Sequence, residues 1–299
     1  MLSILIPVYN YDIRPLVNEL DLQARSTDIK YEILIVDDCS SQIDIAEANK
    51  EVENLSYCTY LRNKQNLGRT ATRSVLAKKA TYEWLLFLDA DVMPKDSRYL
   101  ERFLTYFQHN PYDLIFGGVS YTKEKPGSEY LLKWTYGHQR IAQSAIDRKK
   151  DPYQSVASTQ LLIQKHCFVN NTLEIQDNLY GIDRVFSYYL EKNKIRVLHI
   201  DNPVIHMDLE SYKEFLDKTK QVIDCILHYE KLEYPHNYNS IQKAYLKLHR
   251  FGLYKAYLFL IDKIKSKLQN NLYSTSPNVR YVDMLKLYWY ASAKNNQSP

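Results

Sequence analysis

Along the first 120 residues, continuous apolar runs alternate with stretches whose apolar residues recur every three or four positions. Ser3 to Val8 (SILIPV), Glu32 to Val36 (EILIV) and Trp84 to Leu88 (WLLFL) read as strands buried on both faces. Ser56 to Leu61 and Asp113 to Phe116 read as shorter ones. Between them, Ile13, Leu16, Val17 and Leu20 keep helical spacing, as does the stretch through Ile43 and Ala46. Arg69 to Ala80 has helix composition, and Tyr99 to Phe107 sets Leu100, Phe103, Leu104 and Phe107 on one helical face. Strands of this length separated by helix-length segments predict βαβ units: an α/β fold with a Rossmann-like, mostly parallel sheet flanked by helices.

From 120 to 208 the pattern loosens. Val156 to Ile163 and Ile195 to Ile200 predict strands, and Arg184 to Glu191 a helix. Beyond Leu209 the apolar spacing is helical nearly to the end. The chain therefore divides into residues 1–208, themselves split at 118, and a helical C-terminal region over 209–299. It shows no internal repeat and no low-complexity segment.

Charge follows the same division. Residues 209–299 hold 14 Lys/Arg against 8 Asp/Glu, a net of +6, which leaves −2 for residues 1–208. Ten of the 27 tyrosines lie between Tyr229 and Tyr290. There, Leu258, Leu260, Ile261, Ile264 and Leu268 form an apolar stripe with Lys255, Lys263, Lys265 and Lys267 beside it. Such a basic amphipathic helix suits packing in a protein core, packing on a second subunit, or peripheral contact with an anionic membrane. Nucleic acid is not an expected partner, because acids dilute the basic residues and no recognition motif occurs.

Composition narrows the chemistry. Only seven of 299 residues are glycine, about 2% against a usual roughly 7%. No window contains G-x-G-x-x-G or G-x-x-x-x-G-K-[ST], so the two glycine loops that cradle phosphates are excluded. Four cysteines (Cys39, Cys58, Cys167, Cys225) have no paired or metal-like spacing, and the N-terminus has no basic region before its first apolar run. These features lead us to expect a cytoplasmic protein with reduced thiols and no signal peptide.

Ligands of open α/β sheets sit at the carboxyl ends of the strands. Pro7-Val8-Tyr9-Asn10, Asp37-Asp38 and Asp89-Ala90-Asp91 all stand at such ends. Any one aspartate there serves equally well as a helix cap. Two acidic pairs on one rim repel each other, however, unless a cation or a donor sits among them. Asp-x-Asp at a strand end suits Mg²⁺ or Mn²⁺, which bind oxygen and bridge to substrate phosphates. A cation would then replace the missing glycine loop.

The segments SILIPVYN, EILIVDDCSS, NKQNLGRTATRS and WLLFLDADVMP, in that order, resemble the nucleotide-sugar half of family-2 glycosyltransferases of bacteria, inverting enzymes with the GT-A fold. The resemblance continues less tightly through VASTQLLIQKHCF, LYGIDRVFSYYL and HIDNPVIHMDLES, covering about the first 215 residues. It implies that residues 1–208 are the catalytic domain, with the nucleotide sugar held by 1–118. It further implies that Pro7 and Tyr9 line the nucleoside pocket and that Asp38 bonds the base. Asn66, Gly68 and Arg73 match the N-x-G-x-x-x-A-R element, with Arg73 near base or diphosphate. Thr72 and Ser74 depart from that element, where Ala and Asn are usual. By the same resemblance, Asp89 and Ala90 face the ribose or sugar, and Asp91 ligates Mn²⁺ or Mg²⁺. His206 is a further metal ligand or a structural histidine.

For the catalytic base the family presents Glu-Asp before a helix, whereas here Gly181-Ile182-Asp183-Arg184 offers a single carboxylate. Matching back from Phe186 aligns Asp183 with the Asp; matching forward from Tyr180 aligns it with the Glu. A general base needs one carboxylate within hydrogen-bond reach of the hydroxyl, which favours the first. The other acids nearby are Glu174 and Asp177, and Asp183 also suits a helix N-cap.

For the acceptor, Gly117-Gly118 offers close backbone approach, and Trp134, Tyr136 and His138 offer rings for stacking or for packing. The expected activity is metal-dependent inverting transfer from a nucleotide diphosphate, UDP-sugar first, to a glycan or lipid-linked acceptor in cell-surface polysaccharide synthesis. Two rivals are a sugar nucleotidyltransferase, which would carry a Gly-rich basic loop where PVYNYD stands, and a degenerate binding protein lacking the Glu before Asp183.

Overall fold

A computed structural model describes residues 1–106, 111–172, 179–232 and 234–297. Phe107, Glu174 and Asp177 lie outside the described residues. The chain forms two compact units. Unit 1 comprises Met1–Thr122, Ala142–Asn178 and Tyr189–Asp208; unit 2 comprises Lys123–Ile141, Leu179–Tyr188 and Leu209–Pro299.

In chain order, unit 1 opens with β1 (Leu2–Val8), α1 (Arg14–Arg25), β2 (Tyr31–Asp37) and α2 (Ile43–Asn49). There follow β3 (Cys58–Arg62), α3 (Arg69–Lys79), β4 (Trp84–Leu88), β5 (Val92–Pro94), α4 (Tyr99–Leu104), β6 (Leu114–Phe116) and β7 (Val119–Tyr121). After α5 (Leu131–Tyr136) and a π turn at Gly137–Ile141 come α6 (Ala145–Arg148), β8 (Gln160–Gln164), α7 (Lys165–Thr172), α8 (Asp183–Lys192), β9 (Val197–His199) and β10 (Val204–His206). Four helices complete the chain: α9 (Tyr212–Tyr229), α10 (Ser240–Arg250), α11 (Tyr254–Leu272) and α12 (Arg280–Gln297).

The main sheet has seven strands in the order β3-β2-β1-β4-β8-β6-β9. Only β8 runs against its neighbours, so the sheet is mostly parallel, as the strand–helix alternation predicts. Its continuous apolar runs follow from cover on both faces. Leu2, Ile4, Ile6 and Val8 alternate to one side and join a core with Leu16, Val17 and Leu20 of α1 and Tyr99, Leu100 and Phe103 of α4. On the strand beside it, Phe87 meets Phe168 of α7, ring centroids 4.5 Å apart.

The strand expected from Val156 starts only at Gln160. A second sheet, β5-β10-β7, carries no sequence expectation at all: each strand is three residues long, too short for a period to show.

Unit 2 has its own core. Leu132, Phe215, Leu216, Ile261, Leu268, Leu272, Val282 and Leu285 pack α5, α9, α11 and α12 together. Helices α9 and α10 both open on a capping box, Ser211 with Glu214 and Asn239 with Gln242.

Candidate active site

Strands β1, β2 and β4 run parallel and finish at one edge, and each is followed by a turn with its own side-chain bonding. After β1, Asn10 takes φ 52°, a left-handed conformation that Gly and Asn tolerate best. Its N–H donates to Ser40 Oγ at 2.9 Å, its Nδ2 donates to Ser41 Oγ at 3.0 Å, and its Oδ1 accepts from the Gln42 N–H at 3.0 Å. Asn10 thus stitches the first turn to the second. Beside it, Pro7 is half-buried and Tyr9 is exposed.

Both aspartates at the end of β2 are occupied. Asp37 accepts from the Ser40 N–H and from Tyr60 Oη, each at 2.7 Å. Asp38 Oδ1 accepts from Asn63 Nδ2 at 2.9 Å and the Leu67 N–H at 2.8 Å, while Oδ2 accepts from the Gly68 N–H at 2.7 Å. Asp38 therefore anchors the loop that leads into α3. A carboxylate accepts about four hydrogen bonds, which leaves one acceptor position on Asp38 for a ligand. Gly68, at φ 82° and ψ 170°, caps α3 in a conformation suited to glycine. Asn66 is exposed on the same loop. Asn63, which the sequence reading passes over, is the amide that meets Asp38; its place just beyond β3 was the available signal.

Strand β4 delivers the densest chemistry. Arg73 of α3 is buried and forms an ion pair with Asp89, while its Nε is buried without an acceptor among the described residues. Ala90 is half-buried between the two aspartates. Strand β5 then pairs antiparallel with β10, setting His206 opposite Val92, and the Met207 N–H donates to the Asp91 carbonyl at 2.9 Å. This register brings His206 Nε2 to 3.6 Å from Asp91 Oδ2. The His206 ring stacks on Tyr121 of β7, centroids 5.8 Å apart and planes at 13°, and its Nδ1 is buried without a partner among the described residues.

Burial raises the Asp91 carboxyl above the usual carboxylate range; His206 and Arg69 oppose the rise and Asp89 adds to it. Burial, followed by the charges of Asp91, Asp208 and Asp12, likewise raises the Tyr11 hydroxyl. Arg69, Tyr11 and Asp208 thus share the electrostatics of this site, and sequence reasoning missed all three. Arg69 follows Gly68 directly and Asp208 stands two places after His206, so position was the only clue. Among the described residues, no three His, Cys, Asp or Glu side chains form a ready-made cation cage. A carboxylate and an imidazole still fit Mn²⁺ or Mg²⁺, ions that take further ligands from water and substrate phosphates.

Asp183 belongs to unit 2 and opens α8 as its first residue, where the helix dipole favours a carboxylate. The Gly181 before it has φ 98°, and a Cβ there would stand 2.9 Å from Val222 Cα, so packing on α9 requires glycine.

One acceptor expectation changes. A Cβ on Gly117 would meet the Asn202 carbonyl at 2.2 Å, and one on Gly118 would meet the Arg148 guanidinium at 2.5 Å. Protein fills the space that the glycines seemed to reserve for substrate. Tyr136 packs on Phe215, and its hydroxyl accepts from Lys286 Nζ at 2.6 Å, while the Trp134 and His138 rings meet each other at 4.3 Å.

Elsewhere, His166 Nδ1 lies 2.9 Å from Glu83 Oε1 and His166 Nε2 3.2 Å from Cys167 Sγ, an arrangement like a nucleophilic triad. Burial pushes that thiol up to about 11, which disfavours the thiolate at neutral pH.

Residues 3–166 match the model of Glycosyl transferase family 2. An uncharacterized glycosyltransferase of Haemophilus influenzae is 35% identical over 115 residues, 37% of this chain and 36% of that protein. Another from Rickettsia conorii is 31% identical over 210 residues, 66% of this chain and 33% of that protein. The chain thus spans about a third of the length of these curated relatives. Among solved structures, the mannosyltransferase PcManGT of Pyrobaculum calidifontis, in complex with GDP-Man and Mn²⁺, superposes with a TM-score of 0.57 at 13% identity, covering 99% of this chain and 87% of that one. Residues 1–349 of S. aureus TarS, in complex with UDP-GlcNAc, give 0.50 at 16% identity, covering 99% and 92%. These likenesses establish the GT-A fold. The family match takes in more than half of the chain and holds all four of its motif segments, so the chain belongs to glycosyl transferase family 2.

Proposed function

We propose that the chain transfers a sugar from a nucleotide diphosphate to a hydroxyl of a glycan or lipid-linked acceptor, with inversion and with Mn²⁺ or Mg²⁺, in cell-surface polysaccharide synthesis. One observation carries this reading. Arg73, Asp89, Asp91 and His206, from three separate segments of unit 1, meet at the carboxyl end of β4. Proteins of this fold hold GDP-Man with Mn²⁺ and UDP-GlcNAc, and a donor of that class is proposed here, UDP-sugar being the first to test.

In this proposal Asp91 and His206 hold the cation. When bound, it supplies positive charge against the departing diphosphate. Arg73 fixes the Asp89 carboxylate toward a ribose or sugar hydroxyl, and its unpaired Nε suits an oxygen of the donor. Pro7 and Tyr9 flank the nucleoside, and the remaining acceptor position of Asp38 takes a base N–H. Asp183 takes the proton of the acceptor hydroxyl as that oxygen bonds to the anomeric carbon and the diphosphate leaves. Its assignment rests on the resemblance of Gly181–Phe186 to the base-bearing segment of the family.

The test is thermal unfolding with UDP, GDP or CDP, each with and without Mn²⁺. One nucleotide should stabilise the protein only when the metal is present, by about 2.7 kcal/mol at roughly a hundred times its Kd. Asp91→Asn should erase the metal-dependent part. Absence of stabilisation by any nucleotide would sink the transferase reading. Asp183→Asn should keep binding and lose transfer; undiminished transfer removes Asp183 as the base.

A further inference from the structure

The apolar stripe that the sequence shows on α11 is divided between core and surface, with Leu260 exposed. Ile261 and Leu268 are core residues of unit 2, with Ile264 packed against them. Leu260 (54%) is exposed together with four apolar residues outside the stripe: Leu246 (42%), Phe251 (63%), Leu253 (53%) and Phe259 (63%). All five lie at the corner where α10 turns into α11. On α11, Ala256, Phe259, Leu260 and Lys263 share one face by their spacing. On α10, Lys243, Leu246, Lys247 and Arg250 do the same.

Charge decides what this corner meets. Tyr234 to Ile261 contains no Asp or Glu, while Lys243, Lys247, Arg250 and Lys255 are all exposed there. Lys263 Nζ lies 4.2 Å from the Phe259 ring centroid, so cation and ring are presented together. Phenylalanine and leucine flanked by five cations, with Asp262 the nearest acid in sequence and bonded to the Tyr288 hydroxyl, match a surface of phosphate headgroups over acyl chain. The apolar groups enter the boundary while long basic side chains reach the phosphates. A nucleic acid would satisfy the cations but leave Phe251, Leu253, Phe259 and Leu260 in water.

We infer that the α10–α11 corner is a docking surface for an anionic lipid membrane. Among the described residues no helix is long and apolar enough to cross a bilayer, and this contact is interfacial. The inference stands on this surface alone and needs nothing of the transfer reaction, so the two fail separately.

The experiment is co-sedimentation of the full chain with phosphatidylcholine vesicles, with and without phosphatidylglycerol, at low and high salt. Binding should require the anionic lipid and weaken with salt. Phe259→Ser with Leu260→Ser should lower affinity about tenfold or more. Lys243→Glu with Lys247→Glu should also lower it about tenfold or more, since each cation near such a surface is worth about 1 kcal/mol, roughly fivefold. Either pair reads the question if the other fails to fold, which thermal unfolding checks. No binding to anionic vesicles at low salt overturns the inference, as does equal binding to neutral ones. Light scattering covers the remaining occupant: a dimer that the Phe259/Leu260 pair disrupts, without vesicle binding, assigns the corner to a second copy and overturns the membrane.

Discussion

At the scale of single residues, the aspartates that look alike in sequence have been given different work. Asp37 accepts two hydrogen bonds and Asp38 three from the protein itself, and Asp89 is committed to Arg73. Asp91 is the raised, half-buried carboxylate beside an imidazole. The anchoring role of Asp38 can be separated from a role in base binding. Asp38→Asn keeps one acceptor and turns an NH₂ group toward backbone donors, so the unliganded protein should lose about 2 kcal/mol in urea unfolding. Unchanged stability with weakened nucleotide binding would show instead that Asp38 serves the ligand alone.

At the scale of elements, long runs were legible and short ones were not. Strand β4 occupies the very residues read from WLLFL, because five consecutive apolar residues between turns have few other uses. Strands β5, β7 and β10 hold three residues each, and their pairing partners lie far away in the chain. Unit 2 is joined in a way that sequence spacing hides. Lys133 of α5 pairs at 2.7 Å with Glu210, just before α9, and Lys218 of α9 reaches the same carboxylate at 2.8 Å. Burial alone would raise that carboxyl, but the two lysines outweigh it and hold the group at about 2, below its ordinary 4.5. Its contribution, about 3 kcal/mol, is therefore present above pH 4.5 and lost as pH falls toward 2. Lys133→Met should cost about 3 kcal/mol at neutral pH and flatten this acid limb in urea unfolding. An unchanged limb would mean that the pair adds nothing to folding.

For the whole molecule, the residues proposed to hold the donor lie in unit 1 and the exposed α10–α11 corner in unit 2. Hydrogen exchange with and without UDP or GDP plus Mn²⁺ should therefore protect residues 8–11, 37–41, 63–73, 89–93 and 204–208. It should leave α10 to α12 unchanged. Protection centred on those helices would move the nucleotide out of unit 1. The basic excess of 209–299 includes the cations at the corner.

The sequence by itself determined the alternation of strand and helix, the order of the four motif segments and the presence of acidic pairs at strand ends. These are local or periodic properties, written in neighbours a few places apart. Only the tertiary structure decided which carboxylates are occupied, that Arg73 holds Asp89, and that His206 comes beside Asp91 from more than a hundred positions away. It also decided which face of α11 is buried, turning Ile261 and Leu268 inward and leaving Phe259 and Leu260 outside. Such outcomes depend on strand register and on helix rotation about its axis. Packing against distant segments sets both, and spacing along the chain leaves both open.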